Sequence, residues 1–250
     1  MTVVILCGGL GTRAYPYTRR TPKALMEVAG APIVEQVMRI YASHGYRDFL
    51  LSVGYLKDAI VDYFESRKDT LGWRVRCIDT GENTDTGGRI VGCRDYVTPT
   101  FHATYCDGLG DIDLDALLAF HRTKGGGATM TAVALRSQYG LVYADDSGCA
   151  THFEEKPILP DRLINAGFFV FDASVLDDWS GENLEREVLP SLADKRRLYI
   201  FKHAGFWRSM DTLKDQQELT PAWREYATRY LPRVSATDGR EAGVAAGGGT

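Results

Sequence analysis

Short apolar runs alternate with helical repeats along the first 135 residues, and this alternation leaves few folds open. Residues 2–7 (Thr-Val-Val-Ile-Leu-Cys) read as a strand buried on both faces. Residues 32–44 come next, with Ile33, Val37, Ile40 and Tyr41 on one helical face, Pro32 at the start and Gly45 just past the end. Residues 48–53 read as a strand, 56–68 as a helix, 73–78 and 100–105 as strands, 114–123 as a helix and 128–135 as a buried strand. A β-α-β-α order of this kind implies a mostly parallel, Rossmann-like α/β sheet with helices on both faces.

From about residue 139 the pattern changes. Short strands near 140–144, 149–154 and 165–171 are separated by turns such as Asp145-Asp146-Ser147-Gly148. They predict a smaller antiparallel section that completes the sheet and walls a pocket. Helices are expected at 183–193 and 212–230, the second interrupted by Pro221. Residues 236–250, rich in Gly, Ala and Thr, read as a disordered tail. The expected organisation is one domain over 1–235. Its nucleotide-binding part spans about 1–135, its second part about 136–212, and a helical segment closes it at 213–235.

Composition matters mainly by exclusion. The 250 residues carry a formal net charge of −4, so nothing global points to nucleic acid or an anionic membrane as a partner. Five cysteines include no C-x-x-C pair, and five histidines include no H-x-x-x-H pair. Reduced, buried thiols and no zinc site are expected. The N-terminus lacks the basic flank and apolar core of a signal peptide, and a cytoplasmic location is expected.

The first strand runs into Gly8-Gly9-Leu10-Gly11-Thr12-Arg13, where glycines let backbone N–H groups approach phosphates. The loop is not a Walker motif, since G-x-x-x-x-G-K-[ST] is missing. It nearly matches the dinucleotide fingerprint, but Pro16 and Pro22 prevent an immediate helix. The second strand also ends Ser52-Val53-Gly54 without the acid that would hold a ribose. No Asp or Glu precedes Glu27, whereas Arg13, Arg19, Arg20 and Lys23 all fall in that stretch. A purely cationic loop at a strand's C-terminal end suits a triphosphate.

Together with Pro22-Lys23, this loop resembles that of the sugar-1-phosphate nucleotidyltransferases. Further matching motifs are Thr86-Gly87-Gly88-Arg89, Tyr105-Cys106-Asp107-Gly108, Glu154-Glu155-Lys156-Pro157, Asn165-Ala166-Gly167-Phe168-Phe169 and Phe206-Trp207-Arg208-Ser209-Met210-Asp211-Thr212. They cover roughly residues 2–220 and resemble most closely the branch that transfers a cytidylyl group to glucose 1-phosphate. The chain departs from that branch at residues 14–18. Cys7 stands where alanine is usual, and Cys106 and Ala166 where glycine is common.

The resemblance implies a sheet of the nucleotidyltransferase and GT-A-like type and a homo-oligomer. It implies that an NTP, CTP first with UTP, dTTP, GTP or ATP open, meets a sugar 1-phosphate, glucose 1-phosphate or a relative. Pyrophosphate is then released. Arg13, Lys23 and Asp107 become catalytic candidates. Leu6, Gly8, Gly9, Gly11, Thr12, Arg13, Lys23, Gly88 and Arg89 become nucleotide contacts. Tyr139, Gly140, Glu155, Lys156, Asn165 and Trp207 become contacts of the sugar phosphate. Asp107 and Asp211 become ligands of Mg²⁺. Two readings compete: a glycosyltransferase using Asp111-x-Asp113 for metal, and a nucleotide-binding homologue without catalysis. Asp113 reads mainly as a cap for the helix at Leu114, and His44 as a residue of a helix C-terminus.

Overall fold

The computed structural model describes residues 1–230, with side chains to 227. The expected tail at 236–250 and the last residues of the 213–235 segment lie outside the described residues. In chain order the strands are β1 (Thr2–Leu6), β2 (Glu27–Val28), β3 (Ala31–Pro32), β4 (Asp48–Val53), β5 (Arg74–Asp79), β6 (Thr100–Tyr105) and β7 (Gly108–Gly110). They continue with β8 (Ala128–Arg136), β9 (Leu141–Ala144), β10 (Ala150–Glu154), β11 (Ile158–Asp172), β12 (Leu198–Lys202) and β13 (Trp207–Ser209). The helices are α1 (Ile33–Ser43), α2 (Lys57–Glu65), α3 (Lys68–Leu71), α4 (Thr86–Val91), α5 (Leu114–Arg122), α6 (Leu189–Asp194) and α7 (Leu213–Tyr230). A π-helical turn at Leu184–Val188 leads into α6.

The central sheet has seven strands in the order β12-β8-β11-β6-β1-β4-β5. The pairs β6–β1, β1–β4, β4–β5 and β12–β8 are parallel. Only β11 runs against its neighbours β6 and β8. Both faces are covered, and the period-2 alternation of each strand divides the core accordingly. Val3, Ile5, Phe168 and Val170 pack into one apolar cluster; Val4, Leu6, Phe169 and Phe171 pack into the other. A strand that must feed two cores has no polar face, which is why residues 3–6 are an unbroken apolar run.

The antiparallel section completes the sheet: β11 is inserted into its middle, and β12 returns parallel beyond it. Among the described residues three two-stranded ribbons stand apart, β9–β10, β7–β13 and β2–β3. One expectation needs correction: Pro221 does not interrupt the last helix, since α7 is continuous through it. Leu219 and Trp223 on either side are buried in the core, and the Trp223 indole donates to Gln36 Oε1 at 3.1 Å. Packing of both halves outweighs one missing backbone hydrogen bond.

Candidate active site

Parallel strands β1 and β6 end side by side, with Leu6 in register with Tyr105. The segments leaving the two strands therefore meet at the same edge of the sheet. After β1 come the glycines and a series of tight turns at Thr12–Ala14, Tyr17–Arg19 and Lys23–Leu25. Thr18 donates its hydroxyl to the Gly11 carbonyl at 3.0 Å and folds the loop back on itself. After β6 comes Asp107. A third segment is brought in by β13, which pairs antiparallel with β7. Its last hydrogen bond, Met210 N to Asp107 O at 2.9 Å, places Asp211 beside Asp107 across a hundred residues of chain.

The result is a cluster of charge. Lys23 Nζ lies 2.6 Å from Asp107 Oδ2 and 2.8 Å from Asp211 Oδ1. Arg13 Nη1 reaches Asp211 Oδ2 at 2.7 Å. Burial alone would push the Lys23 ammonium's pKa down. The two carboxylates outweigh that and raise it above the ordinary lysine value, so Lys23 is a firmly held cation. Its side chain is 11% exposed, against 70% for Arg13.

These groups line a cleft of about 540 Å³. Of the residues expected at a nucleotide site, Leu6, Gly9, Gly11, Thr12 and Arg89 line it with Arg13, Lys23 and Asp107. Asn165, Trp207 and Asp211 line it too. Asn165 comes from a bulge in β11, where the five residues 165–169 oppose the three residues 130–132 of β8. The Trp207 indole holds that bulge by donating to the Ala166 carbonyl at 2.8 Å.

Other expected residues lie elsewhere or do something else. Arg89 is buried, and its guanidinium is taken up by the protein's own oxygens. Its Nη1 donates to Thr80 Oγ1 at 2.9 Å and Gly81 O at 3.1 Å, and its Nη2 to Gly8 O at 2.9 Å and Glu82 O at 3.2 Å. It clamps the first loop to the 80–82 turn. Gly8 lies outside the lining, and its lack of a side chain serves this clamp. A Cβ there would fall 1.9 Å from Arg89 Nη1. Gly88 is outside the lining as well. Its N–H is given to Glu182 O at 3.0 Å, and a Cβ there would meet Glu182 Oε2 at 2.2 Å.

Tyr139, Gly140, Glu155 and Lys156 are not among the cleft's lining residues. They belong to the ends of the β9–β10 ribbon, where Lys156 is exposed with Nζ 4.0 Å from Glu155 Oε1. The register explains the separation. Asn165 pairs with Ala132 but Ile158 with Arg136, so Lys156 lies more than four residues of β8 further out. At strand rise that is roughly 13 Å.

The competing metal motif lies away from the main cleft. Asp111 pairs with His203 at 2.9 Å, and Asp113 caps α5 by accepting from Ala116 N at 2.8 Å. Neither lines the main cleft. His44 ends α1 and its ring contacts Asp115 at 2.9 Å.

Sequence reasoning misses Glu185, Thr86, Tyr105 and Ser209, all of which line the cleft. Glu185 has no local signal. It sits on the π-helical turn, and only tertiary packing brings it against Thr86 and Tyr105.

A sequence profile of the family described as nucleotidyl transferase matches residues 2–222. The glucose-1-phosphate cytidylyltransferase of Salmonella typhi is 36% identical over 249 residues, covering 90% of this chain and 96% of that protein. The mannose-1-phosphate guanylyltransferase catalytic subunit beta of Drosophila pseudoobscura pseudoobscura is 32% identical over 220 residues, covering 85% and 59%. The crystal structure of HddC from Yersinia pseudotuberculosis complexed with GMP-PN matches with a TM-score of 0.69 over 89% of this chain and 99% of that one. At 21% identity that likeness speaks for the fold.

Proposed function

The chain belongs to the nucleotidyl transferase family, and from that premise we propose that it joins CTP to a hexose 1-phosphate, glucose 1-phosphate first, and releases pyrophosphate. The observation that carries this reading is the Lys23–Asp107–Asp211 cluster beside the glycine loop, at the sheet edge where ligands of open α/β folds bind.

The chemistry asks for little beyond charge and position. A phosphate monoester has a second pKa of about 6, so the sugar phosphate is already a dianionic nucleophile near neutral pH. One of its oxygens attacks the α-phosphorus, a P–O bond forms, and the bond to pyrophosphate breaks. No general base is required. What must be overcome is repulsion between two polyanions, and preorganised cations do this best.

In this reading Lys23 meets the α-phosphate, and Arg13, exposed and close by, the outer phosphates. Gly9, Gly11 and Thr12 supply loop backbone along the cleft. Arg89 contributes by holding the Gly8 carbonyl, which fixes where the loop begins. Mg²⁺ fits the donor set, because Asp107 and Asp211 are hard oxygen ligands sharing one partner and are both open to the cleft. Such an ion is usually held by one or two carboxylates and substrate phosphates, and would neutralise phosphate charge. Lys156 is assigned to the phosphate of the sugar 1-phosphate and Glu155, an acceptor, to its hydroxyls, which requires the ribbon to close toward the cleft when substrate binds.

The preference for CTP rests on the Salmonella typhi relative and the Thr86–Arg89 motif; the guanylyltransferase relative makes GTP the rival. The reading includes a cytoplasmic homo-oligomer, in keeping with five unpaired cysteines and with the exposed Val142, Tyr143 and Phe153 of the ribbon. Pyrophosphate release, measured for five NTPs against a panel of sugar 1-phosphates with Mg²⁺, tests the proposal. A purine triphosphate preferred about tenfold over CTP would overturn the base assignment. No release from any pair would overturn the reaction.

A further inference from the structure

Another part of the cleft wall carries a continuous row of hydrogen bonds that the transfer chemistry does not use. Thr86 donates its hydroxyl to Glu185 Oε2 at 2.7 Å, and Tyr105 donates its own to Glu185 Oε1. Asn165 Nδ2 donates to the Tyr105 oxygen at 3.1 Å, and Asn165 Oδ1 accepts the Gly167 N–H at 2.8 Å. All four side chains line the cleft.

The direction of the row is set from its two ends, by the Glu185 carboxylate and by the Gly167 N–H. A carboxylate only accepts, so both hydroxyls must point their protons at Glu185. Burial, and then the negative Glu185, push the Tyr105 phenol far above the ordinary tyrosine range, so it keeps that proton. Its oxygen is left to accept from Asn165. A flipped Asn165 amide would set its oxygen against a Tyr105 oxygen with no proton to offer, and its NH₂ against the Gly167 N–H. The ring cannot swing away either. It lies edge-on to Phe169 at 5.8 Å, and a Cβ on Gly167 would come within 2.4 Å of it. The segment that carries Glu185 is itself tied to α4, through Leu184 N to Thr86 Oγ1 at 2.9 Å and Gly87 N to Glu182 O at 2.7 Å.

We propose that Glu185 is a positioning residue that, through Tyr105 and together with the Gly167 N–H, sets the Asn165 amide as a hydrogen-bond donor toward the hydroxyls of the sugar 1-phosphate. The sugar's configuration is thereby read through the Thr86–Glu185–Tyr105–Asn165 row. The proposal rests on the nucleotidyl-transfer reading and adds a determinant of sugar choice to it. A site that commits a half-buried polar group to one direction disfavours a hydroxyl of the wrong configuration by leaving a group unpaired.

The test is steady-state kinetics of wild type, Glu185→Gln, Tyr105→Phe and the double variant. It uses two hexose 1-phosphates that differ in the configuration of one hydroxyl. Glutamine carries both a donor and an acceptor, so it releases the direction of the row while keeping its shape. Each single variant should raise the KM for the preferred sugar phosphate about tenfold and lower the preference between epimers by a similar factor. The KM for the NTP should stay within about twofold. The double variant should be no worse than the worse single one, because both break one row. Unchanged sugar KM and epimer ratio in both single variants would overturn the proposal, as would a parallel rise in NTP KM or additive losses. Wild type that turns over no NTP and sugar phosphate pair would overturn the reaction and this role together. Active wild type with indifferent variants would overturn this role alone.

Discussion

Lys23 and Lys156 carry the same charge, yet the fold treats them in opposite ways. Lys23 is 11% exposed, held by two carboxylates, and anchored on a turn whose neighbours Ala24 and Met26 are buried in the core. Lys156 is 50% exposed, at 4.0 Å from one flexible glutamate, on a ribbon whose apolar side chains face outward. One region is preorganised by the sheet, while the other has few contacts to set its position. A transferase needs both. The group that stabilises charge in the transition state gains most from rigidity, and the group that captures a second substrate can come with a mobile element.

The widest expected difference between the two regions is catalytic. Asp107→Asn and Asp211→Asn should each lower kcat/KM by about a hundredfold or more, a loss of roughly 3 kcal/mol of transition-state stabilisation. EDTA should abolish pyrophosphate release, and Mg²⁺ restore it. Near-normal turnover in Asp211→Asn would remove that carboxylate from the site and weaken the contrast at its root.

Next in size is a stability effect confined to the rigid region. Gly8→Ala would drive a Cβ to within 1.9 Å of Arg89 Nη1 and should cost about 1–3 kcal/mol by chemical denaturation. Gly9→Ala, one residue on, meets nothing within 4 Å and should stay within about 0.5 kcal/mol. Equal costs at the two positions would mean that Arg89 is not the clamp described.

On the ribbon the expectation reverses. Lys156→Ala should leave the melting temperature unchanged and raise the KM for the sugar phosphate about tenfold, with NTP affinity intact by calorimetry. Lost NTP affinity would take Lys156 away from the sugar phosphate.

The smallest effect sharpens the rigid end. Because the pKa of Lys23 is raised in the fold, its contribution to stability is fully present below the ordinary lysine value of 10.5 and is lost as pH rises through the higher folded value. The difference in melting temperature between wild type and Lys23→Met should therefore be flat from about pH 6 to 9 and shrink only at the alkaline end. A difference that collapses near neutral pH would show that the ammonium is not held as described.

Much of the rigid region is legible in the amino-acid sequence alone. The apolar run at 3–6, the amphipathic helix at Ile33–Ser43 and the glycine-rich cationic loop each carry a local signal, namely period, cap or charge. Asp107 is legible because it comes directly after a strand of a parallel sheet. Strand β12 escapes such reading, since five residues at a sheet edge carry little pattern of their own. Arg89 reads as a nucleotide contact and its clamp stays hidden, because nothing in Thr-Gly-Gly-Arg shows that five oxygens wait for its guanidinium. Glu185 is invisible, being a solvated helical glutamate in every respect but its two partners.

The sequence by itself determined the fold class, the ligand edge and the charge of the loop, since each depends on residues close together in the chain. The tertiary structure decided which carboxylates share Lys23, where Asn165 points, and that Lys156 lies outside the cleft. Those depend on β11 entering the sheet in reverse with a bulge, and on β13 pairing with β7. Strand pairing and register join residues far apart in the chain through backbone groups that every residue carries. Side-chain identity encodes such pairing only weakly, and the folded sheet as a whole settles it.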